Sequence, residues 1–160
     1  MAYTFTSRFF LASEKLATML SNVTAFQTWT GTANAAAALA KIHQVTCSHS
    51  AWSRPCALIG FDISSINSER VALNEFTITP KSDYRIVFEQ SLGGSYSSDP
   101  EGGAKQFLDS VGLIIDGLLE LSGTSPYPSI AYIRGESAYD ARLENGDPEF
   151  HQATVMVGID

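Results

Sequence analysis

The sequence predicts an α+β domain, a mixed β-sheet of about five strands with helices packed on one face. Three observations predict it: helical periodicity fills the first third, the strand-like runs come in groups, and one long amphipathic stretch crosses between two of those groups. Regular alternation of helices and strands would instead have indicated a doubly wound parallel sheet.

Apolar residues Phe9, Ala12, Leu16, Met19, Leu20 and Val23 recur at three- and four-residue steps, the period of a helix burying one stripe. Thr24 followed by Gln27 fits a capping box, which predicts a short helical turn over Ala25 to Trp29 that Gly31 ends. Thr32 is then placed to cap a helix through the alanine run Ala35 to Ala38 and on to Leu39 and Ile42. After a polar loop from Gln44 to Ser53 and Pro55, the run Cys56 to Ile63 has the length and apolar character of a buried strand.

Val71 to Ile78 and Tyr84 to Phe88 are rich in β-branched and aromatic residues, and Pro80 to Asp83 between them supply turn residues, so the two runs predict a hairpin. Leu92 to Gly103 reads as a flexible glycine- and serine-rich loop closing on Asp99-Pro100-Glu101, with Asp99 as cap and Pro100 at the first helical position. The longest helix follows, its stripe formed by Phe107, Val111, Ile114, Ile115 and Leu118, and Gly123 with Pro126 stops it. Ile130 to Ile133 and Thr154 to Ile159 read as closing strands around an acidic loop from Glu136 to Glu149, giving the order α-α-β-β-β-α-β-β. No internal repeat is visible.

Residues 1–160 are expected to form a single domain, because a chain of this length buries roughly two thirds of its unfolded surface without disulfides or metal. Ten Lys and Arg against seventeen Asp and Glu give a net charge of −7, with the cations scattered singly, which argues against broad or sequence-specific nucleic-acid binding. No basic segment leads into an apolar run, and no apolar stretch reaches about 18 residues, so neither a simple secretion signal nor a membrane span is expected. Cys47 and Cys56 are expected to be reduced.

Four soft ligands, His43, Cys47, His49 and Cys56, fall in one short span. A zinc site needs four side chains aimed at one tetrahedral centre, and the usual paired spacings are missing, so strand, loop and helix-end roles are the better reading. No serine sits in a Gly-x-Ser-x-Gly elbow. Gly102-Gly103-Ala104-Lys105 lacks the phosphate-loop spacing, and Glu136, Asp140, Glu144, Asp147 and Glu149 match no calcium loop. The expectation is no catalytic residue, metal or cofactor, and work through protein contacts. Trp52 is a candidate interface anchor, as aromatic residues are enriched at the centres of such contacts. Ser95, Tyr96, Ser97 and Ser98 in one loop, with Glu136, Tyr139, Asp140, Arg142 and Glu144 in the other, complete the candidate set.

Three segments together resemble the tail-terminator and neck proteins of tailed bacteriophages: Ala25 to Gly31 leading into Ala35 to His43, Arg54-Pro55 opening the first strand, and the ending Phe150 to Val157. The resemblance follows segment character along most of the chain and includes no catalytic motif. It implies an α/β subunit without cofactor, made in the host cytoplasm, that forms a homohexameric ring in the virion. That ring would cap the tail tube protein and join the tail to the head connector. A head-side adaptor or stopper is the neighbouring alternative, and a small metal-dependent or hydrolytic enzyme built on the His and Cys cluster is the alternative from another class.

Overall fold

The computed structural model describes residue 6 and residues 8–45, 48–49, 51–61, 67–72, 75–79, 82–92, 98–144 and 147–159. Helix α1 (Arg8–Ser21) buries Leu16, Met19 and Leu20 of the predicted stripe, together with Ala17, and leaves Ala12 half-buried, while the Phe9 side chain lies outside the described residues. Helix α2 (Thr24–Thr30) corrects the expected capping box. Val23, extended and 2% exposed, occupies the position ahead of the helix, Thr24 is already helical, and the Gln27 amide donates to the Ser21 carbonyl at 2.9 Å. Burying Val23 decides where the helix starts, and no side chain caps it. Gly31 ends α2 as expected, in the left-handed region at φ 66°, with Thr32 N–H donating to the Gln27 carbonyl at 2.9 Å.

Helix α3 (Ala35–Leu39) is shorter than the alanine run suggested, and its cap is Asn34, whose side chain accepts from Ala37 N–H at 2.9 Å, rather than Thr32. Ile42, expected in the helix, belongs to strand β1 (Ile42–His43), where it is buried opposite Ala57. Pairing with a distant strand overrides local helix propensity here. Strand β2 (Cys56–Phe61) matches the apolar run over those residues, while Ile63 lies outside the described residues.

The expected hairpin is replaced by a different pairing. Strands β3 (Asn67–Ala72) and β4 (Glu75–Thr79) form a separate two-stranded antiparallel sheet, splitting the run read as one strand. Strand β5 (Ser82–Ser91) instead joins the main sheet between β2 and the last strand. Helix α4 (Pro100–Leu121) starts as predicted, with Asp99 Oδ1 accepting from Gly102 N–H at 3.0 Å and Pro100 in the first turn, so Gly102 and Gly103 are helical rather than loop. Gly123, at φ 73°, follows its end.

Strands β6 (Ile130–Glu144) and β7 (Asp147–Ile159) correct the acidic loop. Most of 136–149 is strand, paired for example Asp140 with Gln152 and Glu144 with Asp147. A backbone ladder can carry polar side chains, which composition had read as loop. Among the described residues the order is therefore α-α-α-β-β-β-β-β-α-β-β, and the five-stranded sheet runs β1-β2-β5-β7-β6, parallel only between β1 and β2. The predicted class, α+β with a mixed five-stranded sheet, stands.

Alternation along the strands divides the sheet into two faces. Ala57, Ile59, Tyr84, Ile86, Phe88, Val155 and Val157 join Leu16, Met19, Phe26, Phe107, Ile114 and Leu118 in the main core, which places the helices on that face. Cys56, Leu58 and Val87 point the other way and pack with Trp52. On this second face Tyr132 of β6 covers Gly158 of β7, and its hydroxyl donates to Asp83 of β5. A Cβ at Gly158 would overlap the Tyr132 ring. Gly158→Ala should therefore cost about 1–3 kcal/mol by overpacking in urea denaturation. In a Tyr132→Ala background the loss should shrink, and an equal loss there would show that the ring is not the cause.

Candidate functional site

At one end of the second face a charged cluster is built from three strands and a loop. Register sets Cys56, Glu89 and Gln152 side by side across β2, β5 and β7. Arg54, just ahead of β2, lies over them. Its Nη2 stands 3.0 Å from Glu89 Oε2, its Nε donates to the same oxygen at 3.1 Å, and its Cζ lies over the Phe150 ring, 4.4 Å from the centroid. Ser48 accepts from Arg54 Nη2 at 2.7 Å and donates to Glu89 Oε2 at 2.9 Å, while Gln152 donates to Oε1 at 3.2 Å. Arg54 Nη1 reaches the Trp52 carbonyl at 3.3 Å. The carboxylate thus has donors on both oxygens, which makes this a fixed, satisfied ion pair that ties the loop before β2 to the sheet.

Of the soft-ligand cluster, His43 and Cys56 pack against Trp52. His43 stacks on Trp52 with ring centroids 3.9 Å apart and planes 5° from parallel, and His49 is exposed, its Nδ1 accepting from Ala51 N–H at 3.1 Å. Cys56 is buried, and burial, with the Glu89 charge adding to it, pushes its thiol up to about 11, so it is a protonated, unreactive thiol at neutral pH. Cys47 lies outside the described residues, and among the described residues no three His, Cys, Asp or Glu side chains are grouped to hold a metal.

His43 and His151 both titrate below the ordinary 6.5, and burial is the leading cause at each. His151 is 1% exposed and stacks on Phe107 at 5.3 Å. The folded state thus favours neutral imidazoles, whereas the unfolded chain takes up protons below about 6.5. Their stabilising effect is complete above that pH and falls as pH drops through the lowered folded values. Urea midpoints should decrease from pH 7.5 to 5.5, with a shallower decrease in His151→Gln. Identical slopes in the two proteins would contradict the assignment.

Trp52, the predicted anchor, is half-buried as the cover of Cys56, Leu58 and Val87. Ser95, Tyr96 and Ser97 lie outside the described residues, and Ser98 is exposed ahead of Asp99. Glu136, Tyr139, Asp140, Arg142 and Glu144 all fall on β6, the outermost strand of the sheet, rather than on a loop. The structure therefore places Trp52 and the β6 residues at different parts of the sheet.

The two ends of the sheet differ. One ends on β1, two residues long, and the other on β6, fifteen residues long; among the described residues no strand pairs with either outer edge. Exposed large apolar side chains lie beside β1 and along α4. Leu39 and Val45, 42% and 44% exposed, bracket β1 in the chain. Leu108 and Leu119, 43% and 49% exposed, stand about three turns apart on one side of α4.

No family model matches this chain, and no curated protein matches it.

Sequence reasoning missed the Arg54–Glu89 pair. The available signal was Glu89 itself, a carboxylate continuing the apolar run Tyr84 to Phe88 of a central strand, a place where an acid needs a partner.

Proposed function

We propose that the chain is a structural virion subunit of the tail-terminator kind. It assembles head to tail into a ring, a hexamer by the resemblance, at the head-proximal end of a phage tail tube. Tail tube protein and head connector are its axial neighbours. The observation that supports this reading is the pair of unlike sheet ends. A heterologous contact requires two different patches on one subunit, and such contacts close into rings when the rotation per subunit allows. Leu39 and Val45 stand exposed beside β1, and Leu108 and Leu119 stand exposed on α4, so one subunit offers two separate sets of accessible apolar side chains. An open strand edge also offers unpaired N–H and C=O groups to a neighbour.

The arrangement of His43 beneath Trp52, with Cys56 as a protonated thiol, supports packing rather than an enzyme centre at that cluster. A head-side adaptor or stopper would use the same subunit, and position in the particle distinguishes it.

The test pairs two variants, Leu39→Lys/Val45→Lys, blocked beside β1, and Leu108→Lys/Leu119→Lys, blocked on α4. Sedimentation velocity should show each as a monomer where the unaltered chain self-associates. An equimolar mixture should stop at a dimer, because only one productive contact remains. Homodimers of either variant would mean that like ends meet, and unimpaired assembly of both would remove these ends from the interface.

A further inference from the structure

We propose that the groove between α2 and α4 is a docking site for a short segment of another protein in which apolar side chains stand next to lysine or arginine. This goes beyond ring assembly and does not depend on it. The groove, about 560 Å³, has Val23 and Ala25 on one wall and Leu113 on the other. Leu113 is the most exposed large apolar residue described, at 54%. Its floor is Gly117, where an added Cβ would stand 2.5 Å from Val23 Cγ1, so the two walls meet there.

Charge selects the occupant. Asp116 and Glu120 line the groove and are exposed; among the described residues neither meets a cation, and no Lys or Arg lines this stretch. A segment bringing both apolar and cationic side chains would cover Leu113 and neutralise these carboxylates together. The groove continues past Thr28, Trp29 and Ser110 into a second depression of about 470 Å³ lined by Arg54, Pro55, Gln90, Ser91 and Gln106, where the Arg54 charge is already paired with Glu89. The amide and hydroxyl groups of Gln90, Ser91 and Gln106 suit the backbone of an extended segment, and Trp29 between the two halves is held by its Nε1 donating to Gln90 Oε1 at 2.7 Å.

The probes are acetylated, amidated eight-residue peptides of alternating Leu and Lys, of Leu and Glu, and of Ser and Lys. Titrated into the ¹⁵N-labelled chain, the Leu–Lys peptide should shift amides of Val23 to Trp29 and Ser110 to Leu121. Its affinity should fall about tenfold in Asp116→Lys/Glu120→Lys and in Leu113→Ser, but not in Asp109→Lys on the same helix outside the groove. The other two peptides should bind more weakly. Absence of binding, shifts elsewhere, equal binding of the Leu–Glu or Ser–Lys peptide, or equal loss in Asp109→Lys would each overturn the proposal. Sedimentation of the same samples separates it from the ring reading: groove variants that change self-association and leave peptide affinity intact would make this face a subunit contact instead.

Discussion

Arg54→Met should lower stability by about 3–5 kcal/mol in urea denaturation, the cost of leaving one member of a buried ion pair alone. Glu89 is 0% and Arg54 8% exposed at the side chain, so water cannot take over the lost contacts. Ser48 and Gln152 would remain as donors, but the guanidinium supplies the only counter-charge at the Glu89 carboxylate among the described residues. Replacing both members, in Arg54→Met/Glu89→Met, should recover much of the loss, because an apolar pair of similar volume leaves no charge to solvate. A single variant that loses under about 1 kcal/mol, or a double variant worse than the sum of the singles, would contradict this account.

Phe107→Ala should cost about 3–5 kcal/mol through lost transfer energy and the cavity left behind. Phe107 is fully buried, stacks on His151 at 5.3 Å and lies 6.4 Å from the Trp29 ring, so it joins α4, α2 and β7 at one point. Leu108, its exposed neighbour on the helix, should tolerate alanine within about 0.5 kcal/mol. Comparable losses at both positions would mean that the buried face of α4 is misassigned.

The sequence made legible what short-range periodicity controls. The stripes of α1 and α4, the Asp99 cap, the Gly31 stop and the apolar run of β2 were each readable within a few turns of chain. What failed depended on distant partners. Ile42 looks helical beside its alanines until Ala57 pairs with it. Tyr84 to Phe88 looks like the return of a local hairpin, yet its partners are β2 and β7, the latter about seventy residues on. The polar residues of 136–149 suggest a loop because composition reports solvation, while strand formation there depends on the β6–β7 ladder. The Arg54–Glu89 pair spans 35 positions, and Gln152 stands 63 beyond Glu89, so no local spacing announces it. The two ends of the sheet became visible only once the strand order was known.

Antibody raised against the chain, applied to intact tailed particles and viewed by cryo-electron microscopy, tests the proposed role most directly. The account predicts label at a single ring of density where tail meets head. Particles without label, or label distributed along the tube, would contradict it.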